Sequence, residues 1–336
     1  MKGEYSKLKK LVFVLMAVSM IALSGCSGGT AAPAPTSPPE TVTLAMGFIP
    51  NVQFTPFYVA VNKGYFADEN LEIEFDYGME TDLLNLVGTD SLQFAVASGD
   101  QVILARGQGL PVVYVMTYFH RFPVAVVSLE DLPLEEPADL IGHSVGIPGL
   151  WGASYIGWLA LLDAAGIDEE GIPLESIGYT QVASLTEGQV DAAVVYAANE
   201  PVQLRQAGYE PNIIYVADYM NLVSNGIITN EKTIAEKPEL VGSLVRAVLR
   251  GVRYTIDHPD EAFDICLEYV PEAGGENRDT QMAVLQESIK FWDSDKLGYS
   301  DPSAWQTSQD FMFQVGLAET KTDVDKMFTN DFIVEP

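Results

Sequence analysis

Apolar and polar positions alternate with a period of two from Thr41 to Met46, which predicts a strand with one buried face. Helical spacing follows from Pro56 to Lys63 and stops at Gly64, and Leu71 to Phe75 alternates again with its acids outward. The three segments read as a β-α-β unit. Leu83, Leu86 and Val87 predict a helix before Gly88, Gln93 to Ala97 a strand, Val102 to Arg106 a helix, and Pro111 to Met116 a buried strand. Parallel crossovers of this kind need helices over both sheet faces. The alternation breaks over a Pro- and acid-rich stretch, Leu129 to Asp139. It restarts with Ser144 to Ile147 as strand, Ser154 to Ala165 as helix, Ile177 to Thr180 as strand, and then Ala192 to Tyr196 and Ile213 to Val216. From Glu239 onward the chain is mostly amphipathic helix, with Leu240, Leu244, Val248 and Tyr254 facing the core. Two strand-like segments, Phe122 to Ser128 and Gly226 to Thr229, flank the second α/β set and carry the chain out of one lobe and back. The expected architecture is an α/β clamshell, with lobe 1 from residues 41–128 plus 227–336 and lobe 2 from residues 129–226, joined by two crossover strands. Ligands of open α/β sheets bind outside the carboxyl ends of the strands, so the site is expected in the cleft between the lobes.

The N-terminus carries an address. Lys2, Lys7, Lys9 and Lys10 precede an apolar run from Leu11 to Leu23 that is short for a membrane span, the pattern of a secretory signal over residues 1–25. The run ends Leu23-Ser24-Gly25-Cys26, which resembles the bacterial lipobox. Cleavage before Cys26 would leave its thiol carrying a diacylglycerol and its amine an acyl chain, holding the protein on the outer face of the cell membrane without a spanning helix. An ordinary signal peptide with an incidental cysteine is the alternative. Residues 26–40, rich in Gly, Ala, Pro and Ser, have no periodic apolar positions and read as a flexible tether.

Charge and composition narrow the function. With 47 acidic and 18 basic residues the net charge is −29, which excludes a nucleic-acid partner because phosphate neutralisation needs clustered Lys and Arg. At 48% hydrophobic residues the chain has ample material for a core. Between Leu129 and Gly226 the only base is Arg205 against 15 acids, so the second lobe presents an adverse field to an anion. The two cysteines are too few for a disulfide framework, and Cys266, beside Phe263 and Leu267 in an amphipathic stretch, reads as a buried hydrophobe. His120, His143 and His258 are scattered and show no metal-ligand spacing. No Ser-His-Asp or Cys-His arrangement and no phosphate-cradling loop is evident, so the chain reads as a binding protein without a cofactor rather than an enzyme.

Several strings occur in a telling order: Pro50-Asn51 ahead of Phe57-Tyr58-Val59-Ala60, Lys63-Gly64-Tyr65-Phe66, Gly107 to Pro111, Asp139-Leu140-Ile141-Gly142, Glu187 to Ala192, and Asn199-Glu200-Pro201. Behind a lipobox and a tether, they resemble the substrate-binding proteins of ABC importers, in the group of sulfonate, nitrate, thiamine-pyrimidine and riboflavin binders. The resemblance covers residues 41 to about 295 and implies a type II periplasmic-binding-protein-like fold. It also implies a small-molecule ligand, a membrane permease with a cytoplasmic ATPase as partners, and a monomer. Pyrimidine binders of the group show Asn-x-x-His before the first helix, whereas this chain has Asn51-Val52-Gln53-Phe54. Phe54 can stack on a ring but cannot hydrogen-bond a pyrimidine nitrogen, which favours a larger flat ring system. Phe48 to Tyr58, Met79 to Asp82 and Ser98 to Gln101 look most like the riboflavin-binding branch. A thiamine pyrimidine precursor and a sulfonate or nitrate anion stay as alternatives, the anion held by helix N-termini near Gly152 to Ser154. A pyrimidine synthase of the same fold would need a His and a Cys cluster missing here, and a ligand-sensing lipoprotein without a permease is a further reading.

Candidate ligand-binding residues follow. Asn51 and Phe54 lie in the loop before the first helix; Tyr58, one turn on, competes with core packing. Ser98, Gly99 and Asp100 join a strand to a helix, where an ordinary N-cap is an equal explanation. Tyr118 follows the strand ending at Met116, and Phe119 and His120 beside it could wall the cleft. Trp151 and Ser154 lie where a strand passes into a helix, with Trp158, seven residues past Trp151, assigned to the core. Tyr196, Asn199 and Glu200 emerge at a carboxyl strand edge, Glu200 with helix capping as its rival role.

Overall fold

A computed structural model describes residues 38–334. The expected signal peptide, the lipidation site Cys26 and the tether up to residue 37 lie outside the described residues. The strands are β1 (Glu40–Met46), β2 (Leu71–Tyr77), β3 (Phe94–Ser98), β4 (Val112–Thr117), β5 (Val124–Ser128), β6 (Val145–Ile147), β7 (Leu174–Ser176), β8 (Ala192–Tyr196), β9 (Asn212–Tyr215) and β10 (Asn225–Asn230). The helices are α1 (Thr55–Asn62), α2 (Tyr65–Asp68), α3 (Glu80–Gly88), α4 (Gly99–Gly107), α5 (Gly152–Ala165), α6 (Gln181–Thr186), α7 (Glu200–Gln206), α8 (Glu231–Glu236), α9 (Pro238–Asp257), α10 (Pro259–Tyr269), α11 (Arg278–Trp292) and α12 (Pro302–Gln314).

Two five-stranded sheets form, in the orders β2-β1-β3-β10-β4 and β7-β6-β8-β5-β9. In the first, β1 runs parallel to β2 and β3 while β10 is antiparallel to β3 and β4. The second repeats this plan, with β6 parallel to β7 and β8, and β5 antiparallel to β8 and β9. This is the expected α/β clamshell. Each antiparallel strand is the one the chain enters on crossing over. The all-apolar run Val124 to Val127 pairs on both edges inside the second sheet, so the lobe boundary expected after Ser128 falls instead in the connection from residue 118 to 123.

Periodicity located most elements to within a residue or two. Two differences have physical causes. The strand expected over Ile177 to Thr180 is displaced to β7, because Gly178 at φ +63 turns the chain and leaves Tyr179 in the bend before α6. On α3, Leu84 rather than Leu86 faces inward, since the helix begins at Glu80 and buries Leu83, Leu84 and Val87, whereas Leu86 is exposed. The amphipathic helix α9 is as the pattern predicts: Leu240, Leu244 and Val248 are buried against the first sheet's core, with Tyr254 half-buried at its edge. Gly251 on α9 faces α1 so closely that a Cβ would lie 2.2 Å from the Pro56 carbonyl oxygen, which is what seats the two helices together. Cys266 and Trp158 are fully buried, as expected, the Trp158 indole donating to Glu169 at 3.0 Å.

Candidate functional site

Between the two sheets lies a cleft of about 920 Å³, within the ~300–1,000 Å³ of small-molecule sites. It opens along the carboxyl ends of β1, β3, β6 and β8, where strand-to-helix loops present side chains that the sheets themselves do not use. The first jaw contributes Gly47 to Ile49 after β1, Asn51 to Phe54 in the turn before α1, and Met79 to Thr81 at the start of α3. The second contributes Trp151 to Ser154 at the start of α5, Tyr179 to Ala183 around the start of α6, and Tyr196, Asn199, Glu200 and Gln203. Asn225 at the head of β10 and Gln281 and Val284 on α11 complete the wall.

Local hydrogen bonds shape the loops. Asn51 Oδ1 accepts from the Gln53 amide and its Nδ2 donates to the Ile49 carbonyl, each at 2.8 Å, so this asparagine folds the turn that carries Phe54. Phe54 reaches the cleft with its ring edge against Phe57 and tilted to Tyr77. The Tyr118 hydroxyl donates to the Gln53 carbonyl, and its ring stacks on Trp292 at 5.1 Å, which braces the same turn from behind. In the second jaw, Glu200 accepts from the Tyr196 amide at 2.9 Å and from Asn199 Nδ2 at 2.8 Å, while Gln203 donates to Asn199 Oδ1 at 2.9 Å. Burial raises the Glu200 carboxyl above the ordinary range, although these bonds oppose the shift.

On the first jaw the cleft-lining carboxylate is Glu80. It accepts from Ser98 Oγ at 2.5 Å and from Asn225 Nδ2 at 3.3 Å. Burial first, and then the nearby Asp100 carboxylate, push its pKa up to about 7. Asp100 is itself 2% exposed and raised by burial; one oxygen accepts from Gln101 at 2.7 Å and the other has no partner. Tyr196 crosses from the second jaw to this floor, with Asn225 beside its hydroxyl and burial raising its pKa far above the usual phenol value. At the mouth Phe48 of the first jaw meets Tyr179 of the second at 5.4 Å, and Tyr179 meets Trp151 edge-on at 6.3 Å.

Of the residues singled out in the sequence, Asn51, Phe54, Tyr118, Trp151, Ser154, Tyr196, Asn199 and Glu200 line the cleft. Tyr58 does not: it is buried in the first jaw's core, stacked on Tyr269 at 4.4 Å and bonded to the Tyr77 hydroxyl at 3.0 Å. Ser98, Gly99 and Asp100 also lie behind the wall rather than on it. Val223 fills the space beside Gly99, 2.4 Å from where a Cβ would sit, and the Ser98 hydroxyl is turned to Glu80 instead of capping α4. His120 accepts from the Gly298 amide at 3.1 Å and is held near pKa 4 by burial, a structural rather than a wall residue. Tyr179, Gln203, Asn225 and Gln281 carried no sequence signal that separated them from ordinary surface or strand residues; only Tyr179 would have stood out had β7 been placed correctly.

No Lys, Arg, His or Cys is among the lining residues; rings, amides, hydroxyls and two carboxylates are. Such a surface offers stacking faces and hydrogen-bond acceptors to a neutral polar heterocycle and no side-chain cation to an anion.

Comparison with known proteins gives the family. The model of the family described as NMT1/THI5 like matches residues 51–262. The chain is 46% identical over 314 residues to the riboflavin-binding protein RibY of Chloroflexus aurantiacus, covering 90% of each chain. It is 29% identical over 326 residues to the formylaminopyrimidine-binding protein of Halalkalibacterium halodurans, covering 92% of this chain and 96% of that one. Among solved structures, the periplasmic aliphatic sulphonate binding protein SsuA from Escherichia coli matches with a TM-score of 0.72 at 13% identity, over 89% of this chain and 94% of that one, a likeness of fold alone.

Proposed function

The chain belongs to the NMT1/THI5-like family, and from that premise we propose that it is the extracytoplasmic substrate-binding component of an ABC import system whose ligand is riboflavin. The observation that carries this reading is the composition of the cleft: aromatic rings at the mouth, hydrogen-bonding groups inside, and no cation. The similarity to a riboflavin-binding protein over 90% of both chains supports the same ligand. Riboflavin is uncharged, its isoalloxazine offers a broad flat face, and its ribityl chain offers hydroxyl donors, which match stacking rings and unopposed carboxylates.

Capture is a hinge motion. Ligand between the jaws stabilises the closed population by its greater affinity for that state, and the closed form docks on a permease whose ATPase is cytoplasmic. Phe48 with Tyr179 and Asn225 with Tyr196 are the pairs by which the jaws meet across the ligand. In this reading Cys26 bears the lipid anchor, residues up to the first strand form the tether, and the protein acts as a monomer. An enzymatic reading of the pyrimidine-synthase kind finds no support in the cleft, because Cys266 is sealed in the core and His120 is engaged with Gly298.

An absorbance scan of the purified protein tests the ligand directly. A retained flavin spectrum, and tighter binding of riboflavin than of formylaminopyrimidine or taurine in titration, is the expected result. Preference for formylaminopyrimidine would reassign the ligand to the pyrimidine class, and preference for taurine would assign it to the anions.

A further inference from the structure

Polarity is unevenly distributed along the depth of the cleft, and, on the flavin reading above, that distribution decides which end of the ligand points inward. Large apolar side chains gather at the rim: Ile49 and Met79 on the first jaw, and Trp151 and Tyr179 on the second, are all at least 46% exposed. The inner end is polar and acidic. There Glu80 is held only by Ser98 and Asn225, Asp100 stands behind it with one oxygen unpartnered, and the Asn225 side-chain oxygen is likewise buried without a partner. Among the described residues no ion pair includes Glu80 or Asp100, so no cation offsets their charge when they are ionised.

We propose that Glu80, backed by Asp100, is a specificity-determining residue that accepts the uncharged polyhydroxy chain of the ligand and rejects its phosphate ester. The flat ring occupies the aromatic mouth between Trp151, Tyr179 and the first jaw's rim. The ribityl chain runs inward, its hydroxyls donating to Glu80 and to the Asn225 side-chain oxygen. Hydroxyl-to-carboxylate bonds are short and strong, and Asn225 in this pose gains the partner it lacks. A phosphate on the same chain would bring up to two negative charges against unpaired carboxylates in a water-poor floor, where like charges repel far more than in water. The opposite pose, ring inward, would leave the phosphate in solvent and give no discrimination.

The test is the dissociation constant of riboflavin and of riboflavin 5′-phosphate, read by flavin fluorescence quenching at pH 8 on the full chain, for wild type, E80Q and D100N. Wild type is expected to prefer riboflavin by about 100-fold or more, and E80Q to narrow that ratio about tenfold, mainly by tighter binding of the phosphate ester. D100N should narrow it in the same direction by less, and thermal unfolding confirms that each variant is folded. Equal affinity of wild type for both flavins overturns the inference while leaving riboflavin as the ligand, and needs no variant. An unchanged ratio in a folded E80Q overturns the role of Glu80. Failure of wild type to bind either flavin overturns the riboflavin reading and this inference with it.

Discussion

The two jaws are built on one strand order, yet they hold their cleft carboxylates in opposite ways. In the second jaw, Glu200 is satisfied within its own turn, by the amide of Tyr196 and the side chain of Asn199, neither more than four residues away. In the first jaw, Glu80 is satisfied by Ser98 and Asn225, 18 and 145 residues distant. Both glutamates open a helix at the carboxyl edge of a sheet, so position alone does not distinguish them. What differs is where the donors come from, since each glutamate accepts two of these bonds. A carboxylate held by its own loop belongs to the frame and keeps its geometry whether or not a ligand is present. One held by remote groups, beside a second acid and without a cation, retains accepting capacity that a ligand's hydroxyl can use.

Two tryptophans of the second jaw separate frame from site most sharply. Trp158→Ala should cost roughly 3–5 kcal/mol in denaturant unfolding, because its ring is fully buried and its indole N–H bonds Glu169. Trp151→Ala should leave unfolding within about 0.5 kcal/mol of wild type but weaken riboflavin binding by about 1–3 kcal/mol. An unchanged dissociation constant would remove Trp151 from the site. Next in size, Glu200→Ala strands the Tyr196 amide and the Asn199 side chain, and a loss of about 1–2 kcal/mol of stability is expected. Stability equal to wild type would place Glu200 with the ligand groups instead of the frame.

The smallest effect is a pH dependence of the ligand-free protein. The folded Glu80 carboxyl, raised from 4.5 to about 7, holds a proton that the unfolded chain has already released. Its contribution is therefore complete below about pH 4.5 and disappears as the pH rises through 7, and Asp100, raised in the same direction, adds the same sign. Thermal unfolding between pH 6 and 7 should show wild type losing about 1 kcal/mol more than E80Q. Parallel profiles would mean that water reaches Glu80 freely.

The hydrophobic pattern is local information: it located α9 because that helix buries one face whose spacing is written in consecutive residues, and β8 because its continuous apolar run is buried on both faces. The same locality made Trp151, Ser154, Tyr196, Asn199 and Glu200 legible as cleft candidates: each stands at or beyond the carboxyl end of a strand, the edge where open α/β sheets bind ligands. Ser98, Gly99 and Asp100 met the same criterion, yet the returning chain lays Val223 against Gly99 and turns Ser98 to Glu80. That contact depends on residues more than 100 positions away. Tyr179 was hidden by a glycine turn before α6, and Asn225 by its place at the head of β10, one residue ahead of where the crossover strand was expected to start.

Amino-acid order thus determined the elements, their repeated α/β alternation, the acidity of the second lobe and the kind of side chain at each strand end. Tertiary structure alone decided which of those side chains meet, which carboxylates find donors nearby and which are left wanting one. Spacing along a chain specifies a face, whereas hydrogen-bond satisfaction is settled only when distant segments are packed together and water is excluded.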